Sequence, residues 1–121
     1  MAKPYQTRTS VTGPAIRRGE IWWTVFEPGA GGEIRKNRPA VIISNDDSNA
    51  ILNRVQVLPI TSRAHRVYPS EALIRINGKP NKAMADQIAI ADKKRIRRRI
   101  GHVTRDEMKA IEAALRKQLA L

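Results

Sequence analysis

Two stretches of the chain put a charged or hydroxylic side chain at the end of an apolar run, where a strand leaves the core and presents its side chains to a ligand. Arg38 stands immediately before Pro39 and the run AVII, and Thr61-Ser62-Arg63 directly follows VQVLPI. A guanidinium is a fixed, planar, bidentate donor for phosphate, and a hydroxyl beside it adds a further hydrogen bond. Each has a plainer reading: an ST turn accounts for Thr61 and Ser62, and a snorkelling side chain accounts for Arg38.

The other reactive side chains point to no second chemistry. Asp46 and Asp47 are adjacent, whereas acid–base pairs need carboxylates held in different environments, so a turn within NDDSN is the expectation. That segment lacks the glycine and distal glutamate of a calcium loop. His65 and His102 lack metal-ligand spacing and there is no cysteine, so no metal is expected and disulfides are excluded. No phosphate-cradling glycine motif or dinucleotide fingerprint occurs, so no nucleotide cofactor is expected either.

The chain has 121 residues, 23 Lys plus Arg against 11 Asp plus Glu, and a formal net charge of +12. A domain of that charge attracts polyanions before contact, which puts nucleic acid first among partner classes. Basic residues cluster at Arg35, Lys36 and Arg38, at Arg63 and Arg66, and from Lys93 to Arg99. No apolar run reaches membrane-spanning length, so the expected address is the cytoplasm with no membrane partner. Aromatic residues are few, and the neighbours Trp22 and Trp23 must face opposite ways on a strand.

These groups need a scaffold of short strands. Residues 1–16 mix small polar residues and prolines without periodicity and read as a flexible leader, leaving one domain over 17–121. Strand-like runs cover Gly19 to Phe26, Pro39 to Ser44, Arg54 to Ile60, Glu71 to Ile76, Ala83 to Ile90 and Arg98 to Val103. Glu27 to Asn37, rich in glycine, reads as a mobile loop, and Asp92 to Ile96 as one helical turn. Thr104 and Glu107 have capping-box spacing ahead of Met108, Ile111, Leu115 and Leu119, which predicts a C-terminal helix with one packed face. The expectation is a small, strongly bent antiparallel sheet or partial barrel closed by that helix.

Taken together, RRGEIWW, EIRKNRPAVIISND, VLPITSR, ADQIAIADKKRI and IGHVTRDEMKAIEAALRKQLAL resemble the MazF/PemK toxins of prokaryotic toxin–antitoxin pairs, from Arg17 to Leu121. The resemblance implies a mainly β (α+β) fold, an SH3-like small β-barrel with a C-terminal helix, and a homodimer. It implies a metal-independent endoribonuclease that cuts single-stranded RNA at short sequences. The substrate's 2′-hydroxyl attacks, leaving a 2′,3′-cyclic phosphate and a 5′-hydroxyl, so no cofactor is needed. Arg38 matches the family's catalytic arginine, Thr61 its strand-end hydroxyl, and Glu33 a loop glutamate acting as base in some relatives.

Arg35, Lys36, Ser62, Arg63, Asp86 and Gln87 are the implied RNA contacts. The Arg-x-Asp pair of some relatives reads Met84-Ala85-Asp86 here, so Asp86 is kept and the arginine is not; Arg63 or His65 could supply the missing proton donor. A cognate acidic antitoxin, folding onto the basic groove, is the implied protein partner. Two other classes stay open on the residues: a CcdB-like toxin that poisons gyrase, and a non-catalytic basic nucleic-acid-binding module.

Overall fold

A computed structural model describes residues 15–26 and 36–121. Most of the expected leader and the loop residues Glu33 and Arg35 lie outside the described residues. Seven strands are described: β1 Glu20–Phe26, β2 Lys36–Ile42, β3 Arg54–Thr61, β4 Glu71–Ile76, β5 Lys79–Met84, β6 Ala89–Asp92 and β7 Ile96–His102. Helix α1 is Asp46–Ile51 and helix α2 is Arg105–Leu119, with 3-10 turns at Ala85–Gln87 and Lys93–Arg95. All strand pairs are antiparallel, in the order β4-β5-β3-β2-β1-β7, with β6 paired to β3.

The sheet is curled because one edge of β3 is divided between two partners. Arg54–Val57 pair with Ala89–Asp92 of β6, and Ile60–Thr61 pair with Lys82–Ala83 of β5. The single strand expected over Ala83 to Ile90 is therefore two, broken by the 3-10 turn where the chain leaves β5 and joins β6. Ala85 N–H donates to Ser70 O at that break. The Lys79–Asn81 part of β5 is disguised in the sequence by Gly78, Pro80 and Asn81. Its hairpin with β4 turns at Asn77 and Gly78, both at positive φ, as two-residue hairpins require.

NDDSN is a helix start rather than a turn. Asn45 Oδ1 accepts from Ser48 N–H at 2.8 Å and caps α1, while Asp46 and Asp47 occupy its first turn, where carboxylates favour the dipole. The same side-chain chemistry serves turns and N-caps, which is why the sequence leaves them unresolved. Asp46 Oδ1 also accepts from Arg18 N–H at 2.7 Å, docking α1 on the entry to β1. Lys93, in the second 3-10 turn, donates to Asn49 O, and burial lowers the pKa of its ammonium.

Side chains of β1, β2 and β3 are buried on both faces. Ile21, Val41, Leu58 and Ile60 pack with Ile74 and with Ile111 and Ala114 of α2, whereas Trp22, Ala40, Ile42, Val55, Val57 and Ile96 form a second cluster on the other face. The two tryptophans divide as alternation demands: Trp22 is buried and Trp23 half-buried. Helix α2 has its capping box, with Glu107 N–H donating to Thr104 Oγ1 at 3.1 Å and Thr104 N–H to Glu107 Oε1 at 2.8 Å. Glu107 Oε2 also accepts from Arg75 N–H at 2.7 Å, tying the helix start to β4. Leu119, expected on the packed face, is exposed in the last turn of α2.

Thr104→Ala removes one cap bond and is expected to cost about 1 kcal/mol, lowering the thermal midpoint by roughly 3–6 °C. Ile111→Ala, at a fully buried position, is expected to cost about 2–5 kcal/mol. Thermal unfolding followed by circular dichroism checks both, and equal losses would contradict this division of the helix.

Candidate active site

The ladder between β2 and β3 consists of Ala40↔Pro59, Val41↔Leu58 and Ile42↔Val57 and goes no further. Proline has no N–H to donate, and Pro39 stands one residue beyond the last pair, at the position whose N–H would face Ile60 of β3. Pro39 is thus in the interior of β2 rather than at the strand start expected for it, because β2 continues back to Lys36 alongside β1. Past this point the two strands run on without pairing to each other. Carrying the register two residues further sets Arg38 opposite Thr61, and alternation aims both to the face that holds Ile42 and Val57.

The same row continues across the sheet, since Thr24 of β1 is the register partner of Arg38 and Lys82 of β5 that of Thr61. Thr24 is fully buried and donates its hydroxyl to Trp22 O at 3.0 Å. Arg38 and Thr61, with Pro39, Ser62, Arg63 and Asn81, line one open groove of about 540 Å³. The Arg38 Nε is buried and has no hydrogen-bond partner among the described residues. A guanidinium held this way is set to receive an anionic ligand, because a buried donor left unmade is costly. Thr61 Oγ1 accepts from Arg63 N–H at 3.3 Å, so the ST-turn reading holds while the hydroxyl proton stays available to donate.

Lys82, the register partner of Thr61 on β5, is buried and lies in sequence between the groove-lining residues Asn81 and Met84. It is 9% exposed, and its Nζ donates to Glu71 Oε1 at 2.8 Å and Arg66 O at 3.0 Å. Glu71 Oε1 accepts in turn from Tyr68 N–H at 2.9 Å. The buried pair therefore pins the basic loop after Thr61 to β5. The sequence reading missed Lys82; alternation over Lys79–Met84, which sets it on one face with Met84, is the signal that could have placed it.

The expected site residues do not all converge. Arg38, Thr61, Ser62 and Arg63 share the groove. Lys36 is exposed at the start of β2, and His65 is exposed in the loop before β4. Asp86 and Gln87 sit on the 3-10 turn and line a second hollow of about 450 Å³ with Phe26, Pro59 and Arg95. Pro59 is two residues along β3 from Thr61. Glu33 and Arg35 lie outside the described residues. Among the described residues no group of three or more His, Asp or Glu side chains could hold a metal ion, and no helix is long and apolar enough to cross a membrane.

The described residues thus form a curled antiparallel sheet with one packed C-terminal helix and an open groove lined by Arg38 and Thr61. The family profile described as PemK-like, MazF-like toxin of type II toxin–antitoxin system matches residues 17–119. The Endoribonuclease MazF9 of Mycobacterium tuberculosis is 36% identical over 115 residues, spanning 88% of this chain and 98% of its own. The crystal structure of MazF from Deinococcus radiodurans superposes with a TM-score of 0.79 at 26% identity, covering 90% of this chain and 100% of that one. A mycobacterial endoribonuclease in complex with its cognate antitoxin shares the fold, with a TM-score of 0.75 at 24% identity over 88% of this chain and 97% of that one. The chain belongs to the PemK/MazF toxin family.

Because the buried Arg38 Nε lacks a protein partner among the described residues, Arg38→Met should leave stability unchanged or raise it by about 1 kcal/mol. A drop of more than about 1 kcal/mol in denaturant unfolding would show that Arg38 is a structural member of the fold.

Proposed function

We propose that this protein is the toxin of a type II toxin–antitoxin pair and cleaves single-stranded RNA at short sequences, using the substrate's 2′-hydroxyl as nucleophile. The observation that carries this reading is the Arg38 guanidinium, placed across from Thr61 in an open groove with its buried Nε unpaired among the described residues. In the reaction the 2′-oxygen forms a bond to phosphorus, the bond to the 5′-oxygen breaks, and a 2′,3′-cyclic phosphate and a 5′-hydroxyl result. Atoms and charge balance if one group takes the 2′ proton and another returns one to the leaving oxygen.

Arg38 then holds two phosphoryl oxygens and offsets the charge that grows on them, and the Thr61 hydroxyl donates to the same phosphate. Glu33 is the proposed base. Arg35, Lys36, Ser62 and Arg63 contact the flanking backbone, and Asp86 with Gln87 meet a base in their own hollow. The chemistry asks for no metal or cofactor. A net charge of +12 fits both an RNA strand and an acidic antitoxin segment competing for one groove. A homodimer would present two such grooves about a two-fold axis, and the cytoplasm is the compartment where RNA and antitoxin are both met. The relative named an endoribonuclease favours this reading over a gyrase poison or a binding module.

Purified protein incubated with defined single-stranded RNAs in EDTA should yield 2′,3′-cyclic phosphate and 5′-hydroxyl ends, and a 2′-deoxy residue at the cut position should abolish cleavage. Arg38→Ala should lower kcat/KM by about 10²–10³ or more. Thr61→Val should slow product formation far more than it weakens binding. Cleavage by Arg38→Ala at the unaltered rate would remove Arg38 from the chemistry.

A further inference from the structure

Beyond the arginine–threonine pair, the same row of the sheet leads to an aromatic corner. Lys82 is the register partner of Thr61 on one side and of Leu73 on the other, so Leu73 lies about two strand spacings, ~10 Å, from Thr61. Next to it the Tyr68 ring lies 5.4 Å, centroid to Nζ, from Lys82, and 5.9 Å from the Arg66 guanidinium. Arg66 Nη1 also donates to Tyr68 Oη at 3.3 Å. The backbone beneath is locked, with Tyr68 N–H donating to Glu71 Oε1 and Glu71 N–H to Tyr68 O, both at 2.9 Å.

Despite these contacts Tyr68 is 52% exposed and Leu73 43% exposed, whereas Trp22 is buried and Trp23 and Phe26 are half-buried. Among the described residues Tyr68 is the aromatic side chain most open to solvent. An oriented, exposed ring bordered by cations, with Lys82 linking it through the strand register to Thr61, is an arrangement that holds single-stranded nucleic acid, the ring taking a base and the cations the backbone.

We infer that Tyr68 is a stacking platform for a nucleobase of the RNA strand next to the cleaved linkage, held in place by Lys82 and Arg66. This rests on the proposed endoribonuclease activity and assigns it a subsite. The ring contributes to binding and registering the strand; no bond-making step passes through it. Stacking accepts any base, so the platform fixes where the strand lies rather than which base is read there.

The test compares the unaltered protein, Tyr68→Ala and Tyr68→Trp on one cleavable RNA and on a set carrying a single abasic nucleotide at each position around the cut. Tyr68→Ala should lose about 5- to 100-fold in kcat/KM on the intact RNA, with Tyr68→Trp close to the unaltered protein. One abasic position should cost the unaltered protein a similar factor and cost Tyr68→Ala almost nothing more, because the base that stacks is already gone. Tyr68→Ala within about twofold of the unaltered protein, or a loss that persists in full on every abasic RNA, would overturn the assignment while leaving the nuclease reading intact. A change in sedimentation of Tyr68→Ala would also overturn it, by making Tyr68 a contact between copies. No cleavage by the unaltered protein would remove both readings.

Discussion

The site depends on the early end of one hydrogen-bond ladder. β2 and β3 pair through three positions, in the middle of the sheet, and then stop at Ala40↔Pro59. Neighbouring strands in a closed sheet leave no room for a ligand, because backbone groups and side chains are already matched. Pro39 has no N–H to turn toward Ile60 of β3 at the position where the ladder would otherwise continue. The strands stay anchored by Val41, Ile42, Val57 and Leu58, all fully buried, so the opening is a rigid feature of a packed core rather than a loose loop.

That opening explains why polar groups stand on a face which is otherwise apolar. Ile42 and Val57 belong to the cluster on the face away from α2, and by register Arg38 and Thr61 continue that face. Buried polar atoms are paired almost everywhere in folded proteins, and Thr24 beside Arg38 obeys the rule by bonding to Trp22 O. The Nε of Arg38 departs from it among the described residues. A fold that keeps an unmatched donor gives up stability there, which the phosphate of the proposed substrate would recover.

On the far side of Thr61 the solution is the opposite one. Lys82 is as buried as an apolar residue, yet it has a carboxylate and a carbonyl within hydrogen-bond reach. A buried ion pair adds little net stability but strongly specifies geometry, since a charge moved off its partner is left in a low-dielectric setting. Here it fixes the course of the chain from Arg66 to Glu71. Arg38 thus keeps an unpaired Nε on one side of Thr61 among the described residues, while Lys82 on the other side has its partners within the protein.

Much of this is written in local chemistry. The capping box of α2, the opposed tryptophans and the emergence of Arg38 and Thr61 from apolar runs follow from residue type and spacing, because each depends on contacts a few residues apart. The helix at Asp46–Ile51 was not legible, since Asn45 would cap a helix or close a turn with the same oxygen. Nor was the division of Ala83 to Ile90 into two strands, which reflects how β3's edge is shared, or the separate hollow that takes Asp86 and Gln87. By itself, then, the sequence determined the charge, most of the strands, the C-terminal helix and the standing of Arg38 and Thr61 at the ends of apolar runs. Only tertiary structure decided that Arg38 faces Thr61 across a gap and that Lys82 lies buried beside them, because cross-strand register is set by packing both faces of the sheet at once.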